Sequence, residues 1–443
     1  MKPALQRLLS DYGMVFVLLL LCALFSAMTL TEQNPTGEAA ARQLAGELSK
    51  SSHVLIAVRP QADDILFARQ LQQALTAAGA QVIVVTGEPH DAREALQKLA
   101  AANTPLDAIA ANQATASWLV FADIPTDFPA LGHPRIVKPR SYRWPNFLKS
   151  ENLLNIANQI AVIAIIAIGM TIVIITAGID LSVGSLIALS AVLAARLIRD
   201  DAGAVHASAV GMTVACLAAI VLCGLVGIFS GTMITLFRIP PFIVTLAMML
   251  VGSGLAYLLA QGQSIYQLPD SFVWLGRGAD LLHIPNAVLL MFILYVLAHV
   301  LMSRMRLGRY LYAVGGNREA ARLSGVPVRR VLLFAYAASG LLAGLGGVIM
   351  ASQLKSGSPT YGNMYELYII AAVVVGGTSL SGGEGRMFGT LVGAFTIAVI
   401  QNGMNLTNVE SYTQKVVLGL VILAAVLLDT LRHRGWNRGA SAE

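Results

Sequence analysis

Side chains able to do chemistry are sparse in this sequence, and the ones that matter fall into three short stretches. The first is Thr176–Ser185, TAGIDLSVGS, set between two long apolar runs. Its Asp180 is the only ionisable side chain between Glu151 and Arg196. A carboxylate at membrane depth has to be paired, neutral or wet. Asp180, with Ser182 and Ser185, therefore faces a polar pathway or orders its wall; the plainer alternative is a structural cap at the inner membrane face. Glycines and serines suit a broken or re-entrant helix, whose freed backbone groups are satisfied by neighbouring helices.

The second stretch is Leu307–Arg330, LGRYLYAVGGNREAARLSGVPVRR, an Arg-rich island between apolar runs. It reads as a short capped helix. Asn317 suits the N-cap, Glu319 the first turn where the helix dipole favours negative charge, and Arg322 the last turn. Gly325 suits the left-handed position beyond it, and Pro327 prevents continuation. Such a helix is a handle for another protein, or else a solvated loop whose arginines only set membrane orientation.

The third stretch is Gly376–Arg386, GGTSLSGGEGR, a second polar break. Both breaks follow an apolar run and then read Gly, any residue, Asp or Ser, Leu, Ser, which hints at an internal repeat of the kind transporters carry. Leu380–Glu384, LSGGE, matches the signature of ABC ATPases, but no G-x-x-x-x-G-K-[ST] phosphate loop accompanies it. It also lies between apolar runs, so the match is read as chance. His283 and His299 stand apart, His433 belongs to the basic tail between Arg432 and Arg434, no His/Cys/carboxylate set has metal-site spacing, and no Ser/His/Asp trio assembles. Enzyme chemistry, and any cofactor held by this chain, are not expected. Gln261–Trp274 reads as an outer loop, with Trp274 as an interface residue.

The elements that must position these residues are membrane helices. The sequence is 56% hydrophobic and 12% charged with a mean hydropathy of +0.68, and apolar runs of about 20 residues recur, as a ~30 Å hydrocarbon layer requires. The net charge of +6 reflects inner loops rather than nucleic-acid binding. Cys22, Cys216 and Cys223 all lie in apolar segments, with no disulfide framework. Spans are placed at Met14–Leu30 and near 153–177, 183–199, 208–230, 241–260, 286–303, 330–351, 365–381, 388–406 and 414–430. That is about ten, so both termini share one side. Arg304, Arg306, Arg309, Arg318, Arg322, Arg329 and Arg330 gather in one loop and Arg432, Arg434 and Arg438 follow the last span, which makes that side cytoplasmic. Lys2 and Arg7 agree with a retained first span rather than a cleaved signal.

Between the first two spans the character changes. Strands at Val54–Val58, Gln81–Thr86, Leu106–Ala111 and Pro134–Lys138 alternate with helices at Ala62–Ala78 and Asp91–Ala102, which predicts a small parallel α/β domain. Thr31–Lys50 reads as a polar linker. One crossing precedes this insert, so it is extracytoplasmic. The expected organisation is residues 1–31 for the N-terminal end and first span, and 32–150 for the insert. Residues 151–431 form a mainly α, polytopic bundle with a cytoplasmic coupling loop at 304–329, and 432–443 a cytoplasmic tail.

Four stretches carry a resemblance to a family: GMTIVIITAGIDLSVGS at Gly169–Ser185, LGRYLYAVGGNREAARLSGV at Leu307–Val326, YELYIIAAVVVGGTSLSGGEGR at Tyr365–Arg386 and SYTQKVVLGLVILAAVLLD at Ser411–Asp429. In order, spacing and setting they resemble the permease subunits of ribose-type ABC sugar importers, in the branched-chain amino-acid/monosaccharide permease superfamily. The resemblance implies a bacterial-type inner-membrane protein moving a monosaccharide or similar small polar solute by alternating access. It implies a second permease subunit, an extracytoplasmic sugar-binding protein, and two cytosolic ATPase subunits that hold the ATP and Mg. It makes Asn317–Gly325 the coupling helix, with Asn317, Glu319, Ala320, Arg322 and Gly325 engaging the ATPase. The rival readings are an ion-coupled secondary transporter and a membrane-tethered sensor. The insert departs from the family, whose members usually have a short connection there. Leu106–Val120, LDAIAANQATASWLV, is similar to part of one lobe of a sugar-binding protein. One lobe cannot enclose a sugar, so a docking, regulatory or spacer role is expected ahead of a fused partial receptor.

Overall fold

The computed structural model describes the backbone of residues 3–440 and the side chains of residues 13–427. The side chains of Lys2, Arg7, Arg432, Arg434 and Arg438, and so the basic flanks expected at both ends (the 432–443 tail among them), lie outside the described residues. The chain divides into two units, Leu30–Pro145 and a second made of Met1–Thr29 with Asn146–Glu443. The apolar helix α1 (Pro3–Met28) belongs to the latter. Its last turn is closed by Thr29, whose hydroxyl donates to the Phe25 carbonyl at 2.6 Å and accepts from the Phe147 N–H at 3.1 Å.

The insert begins with β1 (Leu30–Gln33), followed by α2 (Gly37–Leu48), β2 (His53–Val58), α3 (Ala62–Ala77), β3 (Gln81–Thr86) and α4 (Pro89–Ala101). Then come β4 (Ala108–Ala111), the one-turn helices α5 (Leu119–Ala122) and α6 (Ile124–Asp127), β5 (Arg135–Val137) and β6 (Tyr142–Pro145). Four strands form a parallel sheet in the order β3-β2-β4-β5. Both faces are covered, which explains the nearly unbroken apolar strand β2. Val54, Ile56 and Val58 join the core with α2 and α3, while Leu55 and Ala57 join the one with α4 and α5. This is the period-two alternation of a strand. Asp107 fixes the start of β2 by accepting from the Ser52 and His53 N–H groups at 2.7 and 2.9 Å, and those two bonds hold its carboxyl below the usual range.

Two features here differ from the sequence reading. Thr31–Lys50 is not a linker: α2 buries Ala40, Ala41, Leu44 and Leu48, a helical spacing that its many polar residues masked. The unit's neck is an antiparallel ladder, β1 with β6, running from Leu30 opposite Pro145 to Gln33 opposite Tyr142. The unit therefore closes at 30 and 145, and Asn146–Leu148 turns into the helical bundle.

The bundle continues with α7 (Ser150–Ile175), α8 (Val183–Asp200), α9 (Ala209–Leu236), α10 (Pro241–Ala260), the one-turn α11 (Trp274–Arg277) and α12 (Asn286–Arg304). After them come α13 (Arg306–Gly316), α14 (Arg318–Leu323), α15 (Val328–Leu354), α16 (Tyr365–Val375), α17 (Met387–Leu406) and α18 (Ser411–Ala440). Among the described residues six helices are long and apolar enough to cross a membrane: α7, α9, α10, α12, α15 and α17. A helix apolar all round belongs in a core or in lipid, and both occur. α7 is the hub, buried continuously from Ile160 to Ile175. On α9, Val210, Val214, Leu217, Val221, Leu225 and Ile228 form an exposed apolar stripe, the surface lipid requires.

α9 and α15 cross through two small-residue faces, Gly227-x-x-x-Gly231 and Gly340-x-x-x-Gly344. A Cβ on Gly340 would lie 3.2 Å from the Gly227 Cα, so only glycine permits backbones this close, the usual route to tight helix packing in lipid. The expected span 365–381 is shorter than read: α16 stops at Val375, because Gly377, Gly382, Gly383 and Gly385 all take positive φ.

Candidate functional site

Asp180 is buried, at 2% exposure, and both its oxygens are used. Oδ1 accepts from the Ser182 N–H at 3.0 Å and the Ser182 hydroxyl at 2.6 Å, and Oδ2 accepts from the Ser339 hydroxyl at 2.7 Å. Ser185 donates to the Ser182 carbonyl at 2.8 Å, and Thr245 of α10 donates to the Ile179 carbonyl at 3.2 Å. The break between α7 and α8 is thus satisfied by side chains from two neighbouring helices, as irregular backbone in a membrane must be. Asp180 accepts from Ser182, the residue just before α8, and so closes the turn that enters that helix. Its partner Ser339 lies near the middle of α15, so the chain turns back into the bundle after Ile175. Two hydroxyls nearby are buried without a hydrogen-bond partner: Tyr336 and Thr378. The Tyr336 oxygen faces Gly178 and the Thr378 side chain faces Gly385.

The second break, Gly376–Arg386, is held differently. The Gly383 N–H donates to the Ile175 carbonyl at 2.8 Å, tying it to the end of α7. The Tyr312 hydroxyl of α13 donates to the Gly385 carbonyl at 2.8 Å. Gly315, also on α13, packs between the Ile175 carbonyl and the Gly383 nitrogen, and a Cβ there would collide with both. Its neighbour Gly316 has nothing within 4 Å of a Cβ.

The island is therefore two helices, where the sequence suggested one. α13 was missed, although Gly308, Leu311 and Val314 recur at helical spacing on its buried face. α14 follows with the local chemistry expected of it. The Asn317 side chain accepts from the Glu319 and Ala320 N–H groups at 3.1 and 2.9 Å. At its far end Val326 N–H donates to Ala321 O at 3.0 Å and Gly325 N–H to Arg322 O at 3.1 Å, with Gly325 at φ +81°; this is the paired closure of a Schellman motif. Glu319 and Arg322 pair on the exposed surface, and the guanidinium's hydrogen bond lowers the Glu319 pKa. Only Ala321 of this helix is buried. α14 is an exposed knob that follows directly on α13, and α13 packs on the last residue of α7 and on the second break.

Apolar helices interrupted by polar breaks, one returning into the bundle, define a multi-pass helical membrane protein of the transporter class. The family model described as branched-chain amino acid transport system / permease component matches residues 152–426, and the chain belongs to that family. It is 44% identical to the ribose import permease protein of Escherichia coli K12 over 293 residues, 65% of this chain and 88% of the relative. It is 45% identical to the ribose import permease protein of Bacillus subtilis over 287 residues, 64% and 86% of the two chains. The D-allose transport system permease protein of Escherichia coli K12 is 35% identical over 285 residues, 64% and 85% of the two chains. No solved structure matches the chain. The family match begins after the insert, and both breaks and the island fall inside it.

Proposed function

We propose that this chain is the permease subunit of an ATP-driven importer for a monosaccharide, a ribose-like pentose or a hexose. The kinship with ribose and allose permeases carries this reading. In it the chain crosses the inner membrane about ten times with both termini cytoplasmic. The six long helices, α8, and the shorter apolar helices Gly13–Met28, Tyr365–Val375 and Ser411–Leu427 supply that number. The insert is then extracytoplasmic. The partners are a second permease subunit, an extracytoplasmic sugar-binding protein and two ATPase subunits on which ATP and Mg are bound.

In this reading α14 docks in the ATPase, presenting Asn317, Glu319, Ala320, Arg322 and Gly325. What supports the role is its construction: a helix capped at both ends moves as a body instead of fraying. Closure of the ATPase pair pulls α14, and α13 passes the displacement through Gly315 and Tyr312 to both breaks. Asp180, Ser182 and Ser185 order the pathway wall; with both carboxylate oxygens occupied, Asp180 positions α8 against α15 and does not contact solute. The test is uptake of labelled pentoses and hexoses into vesicles carrying the chain, its ATPase and a sugar-binding protein. ATP-dependent uptake of one sugar is expected. Uptake driven by a proton or sodium gradient without the ATPase would contradict the reading.

A further inference from the structure

Glu366 lies in the first turn of α16, and two contacts place it near the middle of the bundle. Its Oε2 lies against Gly184, in the first turn of α8, where a Cβ would strike it. The next residue, Ser185, faces Gly252 near the middle of α10, with its hydroxyl 2.8 Å from where a Cβ would stand.

Unlike Asp180, Glu366 is only half-buried. Among the described residues no cation faces it. Met364 and Leu367 beside it are exposed, so this chain leaves the start of α16 uncovered. The helix dipole favours a carboxylate in a first turn, but by less than an unpaired charge costs in hydrocarbon. The carboxylate must therefore face water or a polar group that this chain does not supply.

We propose that Glu366 is the mid-membrane acceptor for hydroxyl groups of the transported solute. This rests on the reading of the chain as a sugar permease. An ionised carboxylate accepts through two oxygens and donates nothing, which suits two adjacent hydroxyls of a monosaccharide, in charge-assisted hydrogen bonds. Ser185, whose proton is committed to the Ser182 carbonyl, offers a further acceptor close by. Gly184 leaves the room that the carboxylate occupies.

The experiment compares wild type with Glu366→Gln, Glu366→Ala and Glu366→Asp in vesicles carrying the complete importer and labelled ribose. The Gln and Ala variants are expected to co-purify with the ATPase and keep basal hydrolysis, while uptake falls by about tenfold or more, the loss of one or two charge-assisted bonds. The Asp variant, which keeps the charge, is expected to recover part of the uptake. Uptake within about twofold of wild type for both Gln and Ala, on the same scale, would overturn the proposal. So would failure of those variants to assemble with the second permease subunit, which would make Glu366 an interface residue. Absence of ATP-dependent uptake by the wild type would remove the underlying reading as well, an outcome distinct from either.

Discussion

The two breaks in the bundle are built on opposite principles. The first, Thr176–Ser182, is locked by side chains: Asp180 joins Ser182 and Ser339, and Thr245 fastens Ile179. The second, Gly376–Arg386, is shaped by glycines and fastened through its backbone, by Gly383 to Ile175 and by Tyr312 to Gly385. Locked side chains make a fixed reference, whereas the second turn takes its shape from glycines at positive φ, with cross-ties of its own from the Ser379 N–H to the Glu384 carbonyl and between the Ser379 and Ser381 hydroxyls. In the proposed mechanism the first break holds α8 on α15 and the second yields when α13 moves.

We predict the largest effect for Asp180→Ala, which strands the Ser182 N–H and the Ser182 and Ser339 hydroxyls in a buried site, at about 1–3 kcal/mol for each donor left unpaired. Thermal melting in detergent should show a fall of several degrees, with Asp180→Asn intermediate because an amide still accepts through one oxygen. Equal melting of wild type and Asp180→Ala would mean that the first break is not locked. Glu319→Arg reverses a charge in the first turn of α14 and breaks its pair with Arg322. We predict weaker co-purification of the ATPase with membrane insertion intact; unchanged recovery of the ATPase would count against docking through this helix. The smallest effect belongs to Tyr312→Phe, which removes one hydrogen bond of about 0.5–1.5 kcal/mol. It should leave melting nearly unchanged yet lower the sugar moved per ATP, and an unaltered ratio would detach α13 from the second break.

What could be read in the sequence follows from how local its causes are. The caps of α14 are set by Asn317, Gly325 and Pro327 within one short stretch, so they were legible. The four strands of the parallel sheet, with α3 and α4, follow from periodicity, and the six long apolar helices from apolar length. Four things were not legible. α2 carries its apolar face among enough charged and polar residues to pass for a linker. The depth of Asp180 depends on Ser339, far along the chain, and no spacing rule reveals that partner. Gly315 and Gly316 look identical in sequence, and only the approach of Ile175 and Gly383 separates a crowded position from an open one. Glu366 stood in plain view in an apolar run, yet its lack of a partner is a property of the fold.

Gly315 and Gly316 also provide the most direct test that motion passes from α14 through α13 to the breaks. The measurement is labelled sugar transported per ATP hydrolysed, for Gly315→Ala and Gly316→Ala in vesicles holding the complete importer. A Cβ at Gly315 meets the Ile175 carbonyl and the Gly383 nitrogen, an overpacking that typically costs about 1–3 kcal/mol, while one at Gly316 meets open space. The account predicts that Gly315→Ala still binds the ATPase and hydrolyses ATP but moves far less sugar per ATP, while Gly316→Ala matches wild type. Equal ratios for the two neighbouring variants would contradict it.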